Sequence, residues 1–175
     1  MTTSPTHRQI HLCRALRQWL DPAQRVAVLG IGSDLRGDDA AGVLVAQSLK
    51  ERRVGKKLKK KCKVFIGATA PENLTGEIKK FKPTHLLIVD AADAGLKKGA
   101  VYIINPKEAS GFSSSTHQLP MKIFVDYMTH YTGCETIIIG IQPVKLDFNA
   151  APSQAVRKSV KYVSDTIAKI LFGKP

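Results

Sequence analysis

Apolar and polar positions along this chain switch between a helical and a strand-like rhythm, and the switches predict its elements. Ile10, Cys13, Leu16, Trp19 and Leu20 recur at helical spacing until Asp21-Pro22 ends the pattern. A short apolar run at about 25–31 reads as a strand, followed by a glycine-rich loop and a helix from about 39 to 53. A strand lies near 63–67, and Pro71-Glu72 opens a helix running to about 81, before Pro83. Strands follow at about 85–90 and 100–104, and a loop runs from Asn105 to Thr116. Pro120 suits an early position in a helix to about 131. The strand Thr136–Ile141 precedes Gln142-Pro143, and the last helix starts near Pro152-Ser153 and ends before Gly173.

Each strand is a short, nearly continuous apolar run, and the strands alternate with helices. That combination predicts an α/β fold: a single three-layer domain whose mostly parallel sheet of about five strands carries helices on both faces. With 175 residues, 43% of them hydrophobic, the chain suffices for one such core. No internal repeat, low-complexity stretch or linker divides it. Residues 1–24 read as an N-terminal helical extension and 25–175 as the α/β domain.

Charge changes the picture in one place. The formal net charge is +13, but nine Lys/Arg and a single acid, Glu51, fall between Lys50 and Lys63. The rest of the chain holds 18 basic against 13 acidic residues, or +5. This segment reads either as a contact for a polyanion or acidic partner, or as a solvated helix end and turn. No aromatic interleaves its lysines, so a base-stacking nucleic-acid platform is not supported. Cys13, Cys62 and Cys134 are odd in number and widely spaced, which argues against a disulfide framework or zinc knuckle and for a reducing compartment. The first residues lack a secretory apolar core, and no run approaches the roughly 20 apolar residues needed to span a bilayer. A soluble, cytoplasmic protein is expected.

The candidate chemistry sits just past the strands. GSDLRGDD (32–39) follows Val26-Ala27-Val28-Leu29, and Asp90 closes the run Leu86-Leu87-Ile88-Val89. In open α/β sheets ligands bind at the carboxyl edge, where loops diverge. A nucleotide reading of GIGSDLRGDD fails: the dinucleotide fingerprint needs glycine at position 35, which is Leu35. A phosphate loop needs lysine and a hydroxyl where Asp38 and Asp39 stand. Two carboxylates repel phosphate and suit a cation. Asp38 and Asp39 could equally cap a helix, Asp90 could be a turn residue, and His117 in SSSTHQLP a hydrogen-bonded structural histidine. Asp39, Asp90 and His117 together make one plausible cation site on the sheet rim.

Longer segments carry a resemblance. GIGSDLRGDDAAG (30–42), APENLTGEIKKFKPTHLLIVDAADAGLKKGAVYIINP (70–106), STHQLP (115–120) and GIQP (140–143) occur in the order found in nickel-iron hydrogenase maturation endopeptidases. These enzymes trim the C-terminal tail of the hydrogenase large-subunit precursor. APEN, LLIVDA and GIQP are most similar to the branch that matures hydrogenase 3. The resemblance implies a sheet sandwiched between helices. It also implies metal ligation by the second acid of the G-D-D motif, by the Asp closing the LLIVDA strand and by a His in the later loop. These are Asp39, Asp90 and His117. The family usually has Asn where this chain has Ser33, and Gly where it has Ala40.

On this resemblance the metal is the precursor's own nickel, ligated while the tail is bound, and the protein is a monomer meeting its precursor transiently. Chemically, zinc, nickel and manganese all suit two carboxylates and an imidazole. There is no Gly-x-Ser-x-Gly elbow and no H-E-x-x-H helix. The sequence leaves the chemical route open; one option is a metal-polarised carbonyl with Asp39 or Asp90, the candidate catalytic residues, handling a water. Asp38 is assigned to helix capping or loop bonding, and Asp93 and Gln142 to support of loop geometry. The competing classes are a non-proteolytic metal- or precursor-binding module and a basic-patch nucleic-acid-binding protein.

Overall fold

The computed structural model describes residues 5–53, 60–104, 106 and 121–173. Five strands, β1 (Arg25–Ile31), β2 (Lys61–Ala68), β3 (His85–Ala91), β4 (Val101–Ile104) and β5 (Glu135–Ile141), form one sheet in the order β2-β1-β3-β5-β4. All neighbours are parallel except β4, which runs antiparallel to β5 at the edge. The helices are α1 (Pro5–Leu20), α2 (Ala41–Arg53), α3 (Thr75–Phe81), α4 (Met121–Thr132) and α5 (Gln154–Leu171).

Alternation along the strands divides the core in two. Val26 and Val28 of β1, Leu87 and Val89 of β3, and Ile137 and Ile139 of β5 face α1, α2 and α5. Ala27, Leu29 and Ile31, Leu86 and Ile88, and Ile138 face α3 and α4. Central strands apolar on both faces require this double cover, so the expected three-layer α/β architecture holds. The N-terminal helix belongs to the same packing: Leu12, Leu16 and Leu20 join the core of α2 and α5. Leu16 and Leu20 have no exposed area, and such burial contributes about 1.5–3 kcal/mol for each side chain.

Two predicted helices begin differently from expectation. The helix expected from 39 starts as a 3-10 turn, Gly37–Ala40, and becomes α-helical at Ala41. The one expected from Pro71 likewise opens with a 3-10 turn, Pro71–Leu74. In the first case Gly37 holds a positive φ of 53° and the Asp38 carboxylate is engaged with a distant loop, so the tighter turn is imposed from outside the helix. Ser153 caps α5 by accepting from the Val156 N–H at 3.3 Å, as the Pro152-Ser153 start suggests.

The strand order fixes where a site can be. After β1 the chain leaves through α2 on one face and returns as β2; after β3 it proceeds toward β4 and α4, on the other side. Adjacent parallel strands whose following loops diverge leave a crevice at their carboxyl ends. Here that crevice lies between β1 and β3.

Candidate active site

Asp39 and Asp90 both stand at this switch point. Asp90 is the penultimate residue of β3, paired in register with Gly140 of β5, and is 3% exposed. Asp39 lies in the 3-10 turn after β1, is 2% exposed, and its Oδ2 accepts the Ser33 N–H at 2.9 Å. Two glycines allow the approach. A Cβ on Gly32, which has φ 133°, would lie 1.8 Å from the Asp39 carbonyl oxygen. A Cβ on Gly42 would lie 2.1 Å from the carbonyl oxygen of Val89, the residue before Asp90. Without side chains at 32 and 42, the turn carrying Asp39 settles directly onto the ends of β1 and β3.

The two departures at this loop are accommodated. Ser33 holds Asp39 through its backbone N–H, and its Oγ accepts from the Leu35 N–H at 3.3 Å. Ala40 sits buried within the 3-10 turn, where an Ala side chain fits.

The adjacent acid does something else. Asp38, with no exposed area, accepts at Oδ2 from the N–H groups of Val144 (2.7 Å) and Lys145 (3.2 Å), and at Oδ1 from Ser153 N–H (2.5 Å). It therefore does not cap its own helix. It fastens the loop after β5 and the start of α5 to the loop after β1, which is the loop-bonding role expected of it. Asp93 and Gln142 also act as loop supports. Gln142 Oε1 accepts from Ala94 and Leu96 N–H at 2.9 and 3.1 Å, while its Nε2 donates to Asp93 Oδ1 at 2.9 Å. The Gln142 amide and the Gly95 N–H hold the Asp93 carboxyl below its ordinary range.

Tyr102 was not marked by the sequence. Its hydroxyl donates to the Ala92 carbonyl at 2.7 Å, and its ring covers Gly140, where a Cβ would lie 2.6 Å from the ring. Burial first, then the charges of Asp93 and Asp90, push its hydroxyl up to about 12, so it stays a neutral donor. Only the antiparallel register pairing Tyr102 with Gly140 reveals this position, and composition carries no signal for it.

His117, the third expected ligand, lies outside the described residues, as do the STHQLP segment and positions 54–59 of the Lys-rich stretch. Among the described residues no group of three or more His, Cys, Asp or Glu is positioned to hold a metal ion. Asp39 and Asp90 are two buried carboxylates at the carboxyl ends of the neighbouring strands β1 and β3. Three basic residues in the described flanks of the Lys-rich stretch bond within the fold. Arg52 pairs with Asp165 at 2.5 Å, Lys63 with Glu77 at 3.3 Å, and Lys60 donates to the carbonyls of Asp21 and Ala23.

Thiol chemistry is disfavoured at Cys62, which burial pushes up to about 12, and Cys134 is also buried. No described helix is long and apolar enough to cross a membrane.

The sequence model of HycI, hydrogenase maturation protease, matches residues 43–170. The hydrogenase 3 maturation protease of Escherichia coli is 36% identical over 137 residues, 78% of this chain and 84% of that protein. The crystal structure of the [NiFe] hydrogenase maturation protease HycI from Thermococcus kodakarensis superposes with a TM-score of 0.81. It is 34% identical and covers 89% of this chain and 97% of its own. The hydrogenase maturating endopeptidase HybD from E. coli shares the fold, with a TM-score of 0.67 at 24% identity over 82% of this chain and 89% of its own. The chain belongs to the HycI hydrogenase maturation protease family.

Proposed function

We propose that this protein is an endopeptidase that removes the C-terminal extension of a [NiFe]-hydrogenase large-subunit precursor after nickel insertion. What supports the reading is membership of this family together with two buried carboxylates, Asp39 and Asp90, that follow the adjacent parallel strands β1 and β3. Nickel enters as part of the substrate. Asp39 and Asp90, with His117 from the segment leading into α4, would complete the coordination of the precursor's nickel and so report that insertion is finished. Two carboxylates and one imidazole leave positions for ligands that the precursor keeps.

Peptide hydrolysis requires a proton to leave the attacking water and a proton to reach the departing amine. Asp39 or Asp90 is suited to the first task, since a carboxylate within a bound water's reach acts as general base. The same group, then protonated, can deliver that proton to the amine nitrogen as the C–N bond breaks. The Ser33 N–H on Asp39 fixes the carboxylate's orientation through this exchange. The setting is the cytoplasm, with the enzyme a monomer that meets its precursor transiently. The basic flanks bound within the fold favour this over a nucleic-acid role.

The test is release of the C-terminal peptide from the precursor by the wild-type chain and by Asp39→Asn and His117→Ala. Loss of release in both variants with folding intact supports the reading, and release at wild-type rates overturns it.

A further inference from the structure

The loops bordering the candidate site carry two large apolar side chains in solvent. Leu35 is 56% and Phe148 75% exposed, far more than the packed core allows. They belong to different loops, one after β1 and one after β5, yet those loops are stitched together. Asn149 N–H donates to the Leu35 carbonyl at 2.7 Å, Gly37 N–H to Ala150 at 3.1 Å, and Asp38 N–H to Lys145 at 3.0 Å. The Asp38 carboxylate adds its bonds to Val144, Lys145 and Ser153 from beneath. Leu35 and Phe148 therefore sit on two loops tied to one another by backbone bonds and by the buried Asp38, one residue away from Asp39.

An anchored loop costs conformational entropy, so an exposed aromatic on one gains nothing for the free protein's own stability. Such a residue is suited to binding, where rigid aromatic and aliphatic anchors dominate interface energies. The surrounding charge indicates the partner's nature. Asp34, Arg36, Lys145 and Asp147 are all exposed and balance one another, whereas the chain as a whole carries +13. A neutral rim with an apolar centre fits an apolar peptide segment and does not fit a polyanion.

We infer that Leu35 and Phe148 form the docking rim that grips an apolar stretch of the large-subunit precursor flanking its nickel centre. Asp38 positions this rim beside Asp39. The inference rests on the peptidase reading above and assigns the substrate contact that the two carboxylates alone cannot supply. The first two acids after Arg36 then divide the work, Asp38 holding the peptide-binding loops and Asp39 facing the nickel.

The experiment is steady-state processing of nickel-loaded precursor by wild type, Leu35→Ser, Phe148→Ser, the double variant and Phe148→Leu, each checked for folding by its thermal transition. The expected result is a KM raised about ten- to thirty-fold by Phe148→Ser with kcat little changed, and a smaller rise for Phe148→Leu. The two serine effects combine less than additively if both side chains grip one segment. Unchanged KM in the double variant, with wild type processing normally, overturns the docking rim alone. Absence of processing by the folded wild-type protein overturns the peptidase reading itself, and the rim with it.

Discussion

The carbonyl oxygen of Val89 occupies the space that a side chain on Gly42 would need, 2.1 Å from an ideal Cβ. This contact sets the height of α2 on the sheet, and with it the place of Asp39 relative to Asp90. Neither partner is a flexible side-chain tip, so Gly42→Ala must lift the helix start away from β3. The expected loss is about 1–3 kcal/mol of stability, or roughly 3–10 °C in the thermal midpoint. Precursor processing should fall further than stability explains, which parallel melting and cleavage assays would reveal.

Removing the Asp38 carboxylate leaves three backbone N–H groups without their acceptor. Asp38→Ala should cost about 1–3 kcal/mol, because three part-buried donors lose the acceptor of a buried carboxylate. Asp38→Asn keeps one acceptor oxygen and should cost less. Urea denaturation of the two variants checks the order.

Tyr102 predicts a separable effect. Tyr102→Phe keeps the ring over Gly140 but removes the donor to the Ala92 carbonyl, at about 0.5–1.5 kcal/mol. Its consequence should be a lower kcat with little change in KM, since Ala92 opens the loop after β3, two residues beyond Asp90. Equal kcat in Tyr102→Phe and wild type would remove Tyr102 from the positioning of that loop.

Stability should depend on pH through His85, at the opposite edge of the sheet. It is 5% exposed, its ring meets Trp19 edge-on at 4.8 Å between centroids, and Nδ1 contacts the Thr84 hydroxyl at 3.1 Å. Burial lowers its pKa from 6.5, against the partial opposing effect of Glu135, while Lys60 lowers it further. The folded state therefore favours the neutral ring. Its contribution is present above pH 6.5 and is lost as pH falls below that value, where the unfolded chain binds the proton more readily. Denaturation midpoints measured from pH 7.5 to 5 should fall in wild type by more than in His85→Phe.

The sheet and helices were legible because their apolar runs had the right lengths and periods, and because β1 and β3 needed cover on both faces. The 3-10 starts at Gly37 and Pro71 were not, since for the first the decisive bonds reach from Asp38 to residues over a hundred positions away. That Asp39 and Asp90 follow strands β1 and β3 was legible, and the strand order makes those strands neighbours. That Asp38, and not Asp39, anchors the loop after β5 required the hydrogen bonds themselves. Tyr102 and Phe148 gave no pattern in one dimension: one acts through an antiparallel edge register, the other through loops joined only in the folded chain.

On the proposed function, the two buried carboxylates serve a substrate whose nickel is already in place. The most direct test is mass spectrometry of nickel-loaded and nickel-free large-subunit precursor after incubation with this protein. Release of a C-terminal peptide is expected from the loaded precursor alone, and Asp90→Asn should abolish it. Equal release from the nickel-free precursor, or undiminished release by the Asp90→Asn protein, would contradict that function.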